Sequence, residues 1–275
     1  MSGFVSIVGA GPGDPELITV KGLSRLRRAE VVLYDRLVAP QLLEEIAASA
    51  EAIDVGKAPT KHRFAQSEIN ALLIEKAHAG KRVVRLKGGD PFIFGRGGEE
   101  CLALAEAGIS FEVIPGVSSA IAAPAYAGIP VTQRGVTTAL TVVAGHTGGA
   151  DVDWSAITRT GTIVFLMGVK HLPEIVAGLI EHGRSASTPA AVIEQGTTQN
   201  QNVVTGTLAD IVTLARDVRP PATLIVGEVV RLRDQITWFM PGSDSIFATT
   251  NVPQVATEAD AASVEPAGRF AIAEE

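Results

Sequence analysis

Short apolar runs alternate along the first part of the chain with segments whose apolar residues recur every three or four positions. The runs at residues 4–8, 31–34, 83–86 and 111–114, with a shorter one at 53–55, predict buried parallel strands. Between them, Leu17, Val20, Leu23 and Leu26, then Leu42, Leu43 and Ile46, then Ile69, Leu72, Leu73 and Ala77 fall at helical spacing. Arg25, Arg27 and Arg28 take the wet side of the first helix. Ser67 is a candidate cap for the third, with Gly80 as its stop. A fourth helix starts at Glu99-Glu100, puts Cys101, Leu102, Leu104 and Ala105 on its apolar side, and ends at Gly108. Strand and helix therefore alternate, which predicts a parallel sheet with helices on both faces.

The rhythm breaks at Pro115-Gly116-Val117-Ser118-Ser119, before a small-residue helix at 120–127 and a Gly128-Ile129-Pro130 turn. Residues 140–144 and 162–167 then read as strands, and 171–182 as a helix closed by Gly183. Further strands are expected at 190–193, 202–206 and 223–230, with a helix near 208–218. The short step around 194–203 predicts a hairpin, so this second sheet is expected to be mixed. From Pro241 onward the chain loses all period, and a poorly ordered tail is expected. The expected layout is thus an α/β domain at 1–115, a second α/β domain at 116–240 and a tail at 241–275, with no internal repeat.

Composition narrows the function. A chain of 275 residues, 46% apolar and 19% charged, fills the cores of two α/β domains. A net charge of −7 argues against nucleic-acid binding through bulk charge, so an anionic ligand would need a local arginine cluster. The single cysteine, Cys101, rules out an internal disulfide and fits a reducing cytoplasm. No apolar run is long enough for a bilayer, and residues 1–10 lack the pattern of a targeting segment. The five histidines are scattered without ligand spacing, so no metal site is expected.

Two glycine loops carry the candidate chemistry. Gly9, Gly11 and Gly13 follow a strand, and Asp35 lies ~20 residues on, where a ribose-binding acid belongs in a dinucleotide fold. The third glycine of that fingerprint would fall at Asp14, followed by Pro15, and an acid and a proline there repel phosphate and remove a donor. No Gly-Lys-Ser/Thr follows either loop, which excludes a P-loop. The second loop, residues 88–98, has five glycines and a proline in eleven residues and also carries Asp90 and Arg96, with Glu99 just beyond. Asp90 suits ribose hydroxyls or an ammonium, and Gly88 and Gly89 would let backbone approach closely, so a nucleoside without phosphates fits. The same Asp90 could equally be a cap for the turn at Pro91. Asp35, Arg36, Lys57, Arg96, Glu99 and Arg134 follow strands or sit in loops, where an open α/β sheet gathers its ligands.

At this point the sequence closely resembles the uroporphyrinogen-III C-methyltransferases of the tetrapyrrole methylase family. The resemblance runs from about Val5 to Trp238. It is carried by Val8-Gly9-Ala10-Gly11-Pro12-Gly13-Asp14-Pro15, Tyr34-Asp35-Arg36-Leu37, Val55-Gly56-Lys57, the whole run 83–100, Ile114-Pro115-Gly116-Val117-Ser118-Ser119, Gly128-Ile129-Pro130 and Gly227-Glu228-Val229-Val230. It implies two α/β domains with the active site in the cleft between them, in a homodimer. It implies S-adenosylmethionine as methyl donor, held folded, with contacts at Pro12, Gly88, Gly89, Asp90, Ile93, Ser118, Ser119, Met167, Gly196 and Ala222. Many members carry Thr-Ala where this chain has Ser118-Ser119; Ser118 keeps the hydroxyl.

The implied substrate is uroporphyrinogen III, a flexible macrocycle with eight carboxylates. Two methylations would give precorrin-2 for sirohaem and cobalamin biosynthesis. The resemblance points to Asp35 as proton acceptor and Lys57 as proton donor. It leaves Arg36, Arg96, Glu99 and Arg134 to orient the substrate, with Arg96 also available for proton removal. No fused dehydrogenase or ferrochelatase module is visible, so the later steps are expected of other proteins. A methylase of a later corrin precursor, a nucleoside-binding regulator and a dinucleotide oxidoreductase are the competing readings.

Overall fold

The computed structural model describes residues 3–56 and 64–242. Lys57 and residues 243–275 of the expected tail lie outside them. The first sheet is wholly parallel, with strand order β3-β2-β4-β1-β5. Its elements run β1 (Phe4–Gly9), α1 (Val20–Arg27), β2 (Val31–Tyr34), α2 (Pro40–Glu44), β3 (Glu51–Asp54), α3 (Gln66–His78), β4 (Arg82–Lys87), α4 (Gly97–Glu106) and β5 (Phe111–Ile114). Alternate side chains go to opposite faces. Val5, Ile7, Leu33 and Val83 pack under α3 and α4, while Val8, Val32, Val84 and Leu86 pack under α1 and α2.

Helix α5 (Ser119–Tyr126) leads into the second sheet. That sheet comprises β6 (Leu140–Ala144), β7 (Thr162–Leu166), β8 (Pro189–Glu194), β9 (Asn202–Thr207) and β10 (Ala222–Val226), in the order β6-β7-β10-β8-β9. The helices α6 (Trp154–Ile157), α7 (Leu172–Glu181), α8 (Ile211–Leu214) and α9 (Arg233–Ile236) complete this half. Only β6 and β7 pair in parallel; β10 runs antiparallel to both β7 and β8, and β8 pairs antiparallel with β9. The mixed sheet expected from the hairpin is therefore present. Helix α7 covers one face and α5 the other.

Four helix expectations need correction. Helix α3 begins at Gln66, and the Glu68 carboxylate takes the Ala65 N–H at 2.5 Å, so Ser67 lies inside the helix and caps nothing. Val20 opens α1 at 88% exposure, because Thr19 caps that helix and turns Val20 outward. The helix expected near 208–218 shrinks to α8, since the Asp210 carboxylate takes the Thr207 N–H and holds the entry bent. In α4 the apolar face is shifted: Leu104 is fully buried and Cys101 packs beside it as expected, but Leu102 is 66% exposed, Ala105 is exposed and Glu100 is fully buried.

Arg25 is not merely solvated. Glu112, on the edge strand β5, accepts from Arg25 Nε at 2.5 Å and from Ser6 Oγ at 3.0 Å, and Lys21 Nζ lies 2.7 Å away. Ser6 and Glu112 are also paired in register, so the cluster pins α1 to the sheet edge. The Arg25 hydrogen bond, helped by those of Lys21 and Ser6, holds the Glu112 carboxyl down at about 2 against some burial. A carboxyl depressed on folding stabilises fully above its unfolded pKa and loses that contribution as pH falls toward the folded value. Thermal denaturation should therefore show a loss of stability between about pH 4.5 and 2 that is smaller in Glu112→Gln. An unchanged pH slope in the variant would contradict this.

Candidate active site

Every loop that leaves a carboxyl end of the first sheet lies on one edge, because all five strands run the same way. Three of these loops are tied together. Gly11 N–H donates to Gly89 O at 3.2 Å, and Gly89 N–H returns to Gly11 O at 2.6 Å. Asp90 makes the third tie: its Oδ2 accepts from Gly116 N–H at 3.0 Å, and its Oδ1 accepts from Phe92 and Ile93 N–H at 2.8 and 3.2 Å. Asp90 is thus a turn cap, as one reading of the sequence allows. It remains half-exposed, with lone pairs left for a ligand. Gly89 is left-handed at φ +68°, and a Cβ there would meet nothing within 4 Å, so the backbone faces open space. Pro12 is half-exposed just before Gly13, whereas Ile93 is 44% exposed beside Phe92 and Phe94. Ser118 caps α5, its Oγ accepting from Ala120 N–H at 3.2 Å, and Ser119 follows as the first helical residue.

The second sheet presents its own edge. Because β10 is antiparallel, its first residues lie beside the last residues of β7 and β8: Thr223 pairs with Leu166 and Ile193, and Ala222 with Glu194. Met167, Gly196 and Ala222 therefore gather at one end. The backbone is strained there. Met167, Gln195 and Thr197 are left-handed at φ 60°, 46° and 72°, and Phe94 and Arg96 of the other half are left-handed too. All five non-glycine residues of this kind among the described residues sit in loops carrying candidate site residues. A Cβ on Gly196 would lie 2.5 Å from Ala123 Cβ, so this loop must carry glycine to pass α5.

The two edges meet at Asp14. Its N–H donates to Thr197 Oγ1 at 3.0 Å, and its Oδ2 accepts from Tyr126 Oη at 2.7 Å. Burial and the Asp14 carboxylate push the Tyr126 phenol above its usual range. Asp14 Oδ1 caps Glu16 N–H at the start of a short 3-10 turn. The carboxylate that argues against a pyrophosphate is therefore the group that joins the first loop to the second half.

The charges divide into two sets. Arg36 and Arg134 are exposed and make no hydrogen bond or ion pair among the described residues. Arg96 forms a two-pronged ion pair with Glu99, Nε to Oε1 at 2.8 Å and Nη2 to Oε2 at 2.7 Å. Arg36 and Arg96 follow adjacent strands, while Arg134 lies in the turn between Gln133 and Thr137. The other set is largely buried and ties Asp35 to Glu100 through Arg85. Arg85 Nη2 donates to Asp35 Oδ1 at 2.5 Å, and Arg85 Nε donates to Glu100 Oε1 at 3.0 Å. Lys87 Nζ and Gln66 Nε2 reach the same Oε1 at 2.9 and 3.2 Å. Arg85 and Lys87 are each 2% exposed and Glu100 is fully buried, while the Asp35 side chain is 32% exposed. Burial, then the Arg85 charge, pushes the Lys87 ammonium below its ordinary pKa.

Arg85, Lys87 and Glu100 escaped the sequence reading because strand and helix periodicity takes a charge as solvated. One signal was available: two cations two apart in an otherwise apolar strand point to one face, and that face was expected to be covered by a helix.

A family model described as tetrapyrrole (corrin/porphyrin) methylases matches residues 5–212. The chain belongs to the tetrapyrrole methylase family. The siroheme synthase of Pseudomonas entomophila is 51% identical to this methylase over 248 residues, covering 88% of the chain and 54% of that protein. The siroheme synthase of Chromobacterium violaceum is 50% identical over 249 residues, covering 89% and 53%. The chain thus spans about half the length of these curated relatives. Among solved structures, the uroporphyrin-III C-methyltransferase of Thermus thermophilus in complex with S-adenosylhomocysteine matches at a TM-score of 0.74 and 42% identity, covering 84% of this chain and 100% of that one. A cobalt precorrin-4 methyltransferase matches at a TM-score of 0.74 and 29% identity, covering 82% and 95%.

Proposed function

We propose that this tetrapyrrole methylase transfers two methyl groups from S-adenosylmethionine to uroporphyrinogen III, giving precorrin-2 on the route to sirohaem and cobalamin. The observation that carries the reading is the match to the Thermus uroporphyrin-III C-methyltransferase over that protein's whole length at 42% identity. Identity to the precorrin-4 enzyme is lower, at 29%, which favours the earlier macrocycle over a later one. The residues present suit the donor: the left-handed Gly89 opens onto free space, and no cation among Pro12, Gly88, Gly89 and Asp90 would call for a phosphate. We assign Pro12, Gly88, Gly89, Asp90, Ile93, Ser118, Ser119, Met167, Gly196 and Ala222 to the donor, at the joined edges of two domains divided near residue 115.

The bound donor supplies an electrophilic sulfonium methyl group, so the protein's task is alignment and proton removal. Asp35 has a partly exposed carboxylate oriented by Arg85 and is assigned to take the proton; Lys57 is assigned to return one. Arg36 and Arg134, with no partner among the described residues, are free to take substrate carboxylates, and Arg96 would share its guanidinium between Glu99 and the substrate. We further propose a homodimer working in the cytoplasm; no helix among the described residues is long and apolar enough to cross a membrane.

Incubation with S-adenosylmethionine and freshly generated uroporphyrinogen III should yield a product heavier by two methyl groups in mass analysis. Asp35→Asn, which keeps an acceptor for Arg85, should lower kcat by roughly 10²–10⁴-fold. Arg36→Ala or Arg134→Ala should cost on the order of 2–5 kcal/mol in kcat/KM for the macrocycle with donor affinity nearly unchanged. No methylated product at all would leave the nucleoside-binding reading standing.

Calorimetry should detect S-adenosylmethionine and S-adenosylhomocysteine but not NAD. Asp90→Ala, which frees three backbone donors as well as removing a ligand contact, should weaken donor binding by at least ~1.5–3 kcal/mol. NAD binding without donor binding would sink the assignment. Sedimentation should give twice the 28.6 kDa chain mass at micromolar concentration, and a monomer throughout would refute the dimer.

A further inference from the structure

The geometry points to Glu100 and Arg85 as positioning residues that fix the Asp35 carboxylate for proton transfer; this rests on the proposed role of Asp35. Among the described residues, the Glu100 side chain hydrogen-bonds to no candidate donor or substrate residue. It lies wholly inside the protein on α4, and its Oε1 is shared by Arg85 Nε, Lys87 Nζ and Gln66 Nε2, which come from β4 and α3. Its Oε2 is buried with no hydrogen-bond partner among the described residues. Arg85 links this buried anion to Asp35: one edge of its guanidinium faces Glu100, and Nη2 faces Asp35. Its third nitrogen, Nη1, leans on the carbonyls of Leu33 and Leu86 at 3.5 and 3.3 Å. A planar guanidinium held on three sides cannot swing, so Asp35 Oδ1 is held at a fixed point on the sheet edge.

Stability does not explain the arrangement. Buried ion pairs are commonly matched or bettered by well-packed apolar residues, and here one carboxylate oxygen is left unpaired among the described residues. Val83 occupies the same face of β4 two residues earlier and packs under α3 and α4 as an ordinary core residue. What the charges add is a rigid path from the core to the one member of the set that reaches the surface. Asp35 is 32% exposed at its side chain, against 2% for Arg85 and none for Glu100. A carboxylate that must meet a proton on an aligned macrocycle tolerates little positional freedom, and a misplacement of about 1 Å can lower a rate by on the order of a hundred-fold.

A double-mutant cycle tests this. Glu100→Gln keeps the shape and the acceptor oxygen but removes the charge that anchors Arg85. Arg85→Lys keeps the cation but replaces the fork with one ammonium that reaches Asp35 or Glu100, not both. In the native background each should lower kcat by about ten-fold, with macrocycle KM and S-adenosylhomocysteine affinity changed less than about two-fold. In the Asp35→Asn background each should change kcat less than about two-fold, because the positioned group is gone. Equal losses in both backgrounds, or a native kcat with only a lowered Tm, would overturn the assignment while leaving Asp35 as acceptor. A native kcat in Asp35→Asn itself would remove both readings. Arg85→Lys carries the test if Glu100→Gln fails to fold.

Discussion

Three stretches of backbone pass one another at the carboxyl edge of the first sheet more closely than any side chain would permit. A Cβ on Gly9 would lie 2.6 Å from Gly116 Cα and 2.7 Å from Gly89 O. The glycines at these crossings are therefore set by space. The approach lets Gly11 and Gly89 exchange hydrogen bonds and lets Asp90 reach the Gly116 N–H. The loops after β1, β4 and β5 become one unit, whose backbone at Gly89 faces open space. Gly89 is the exception: its left-handed φ favours glycine, yet the space beside it is open.

Beneath that unit the sheet carries charge where a parallel strand normally carries Val or Ile. The face of β4 that meets α3 and α4 reads Val83, Arg85, Lys87, and Glu100 answers the two cations from α4. Withdrawing such ions from water costs several kcal/mol per ion, and removing a single partner typically costs roughly 3–5 kcal/mol. The protein keeps the set intact by letting only Asp35 emerge. An acidic protein thereby presents one held carboxylate next in the chain to the exposed Arg36, an arrangement that suits the poly-acid macrocycle proposed as its substrate.

The second half contributes strain rather than charge. Met167, Gln195 and Thr197 hold left-handed backbone at the ends of β7 and β8, a conformation that costs most for β-branched Thr197. Thr197 is held there by its neighbours: Gln201 Oε1 takes its N–H at 2.8 Å, and its own hydroxyl accepts from Asp14 N–H. Gln201 in turn donates to Tyr126 O, and Tyr126 donates to Asp14. The strained loop and the first glycine loop therefore share one hydrogen-bonded cluster, and moving either would disturb both.

The sequence by itself determined the alternation of strand and helix, the parallel first sheet, the hairpin that makes the second sheet mixed, and the loops at which candidate residues lie. These depend on neighbours in the chain: apolar period, glycine at a turn, a side chain next to the backbone it caps. Where local signals competed, the reading slipped, as at Ser67, Val20 and the shortened α8, because caps supplied by Glu68, Thr19 and Asp210 moved the helix boundaries. Only the tertiary structure decided which charges are buried. Arg85, Glu100 and Asp35 are 15 and 50 residues apart along the chain, and a carboxylate becomes a core residue only when partners arrive from other elements to replace its water. The left-handed Thr197 and the Asp14–Tyr126 bond have the same origin, since tertiary contacts, spanning 112 residues in the case of that bond, hold backbone and side chain where local preference would not.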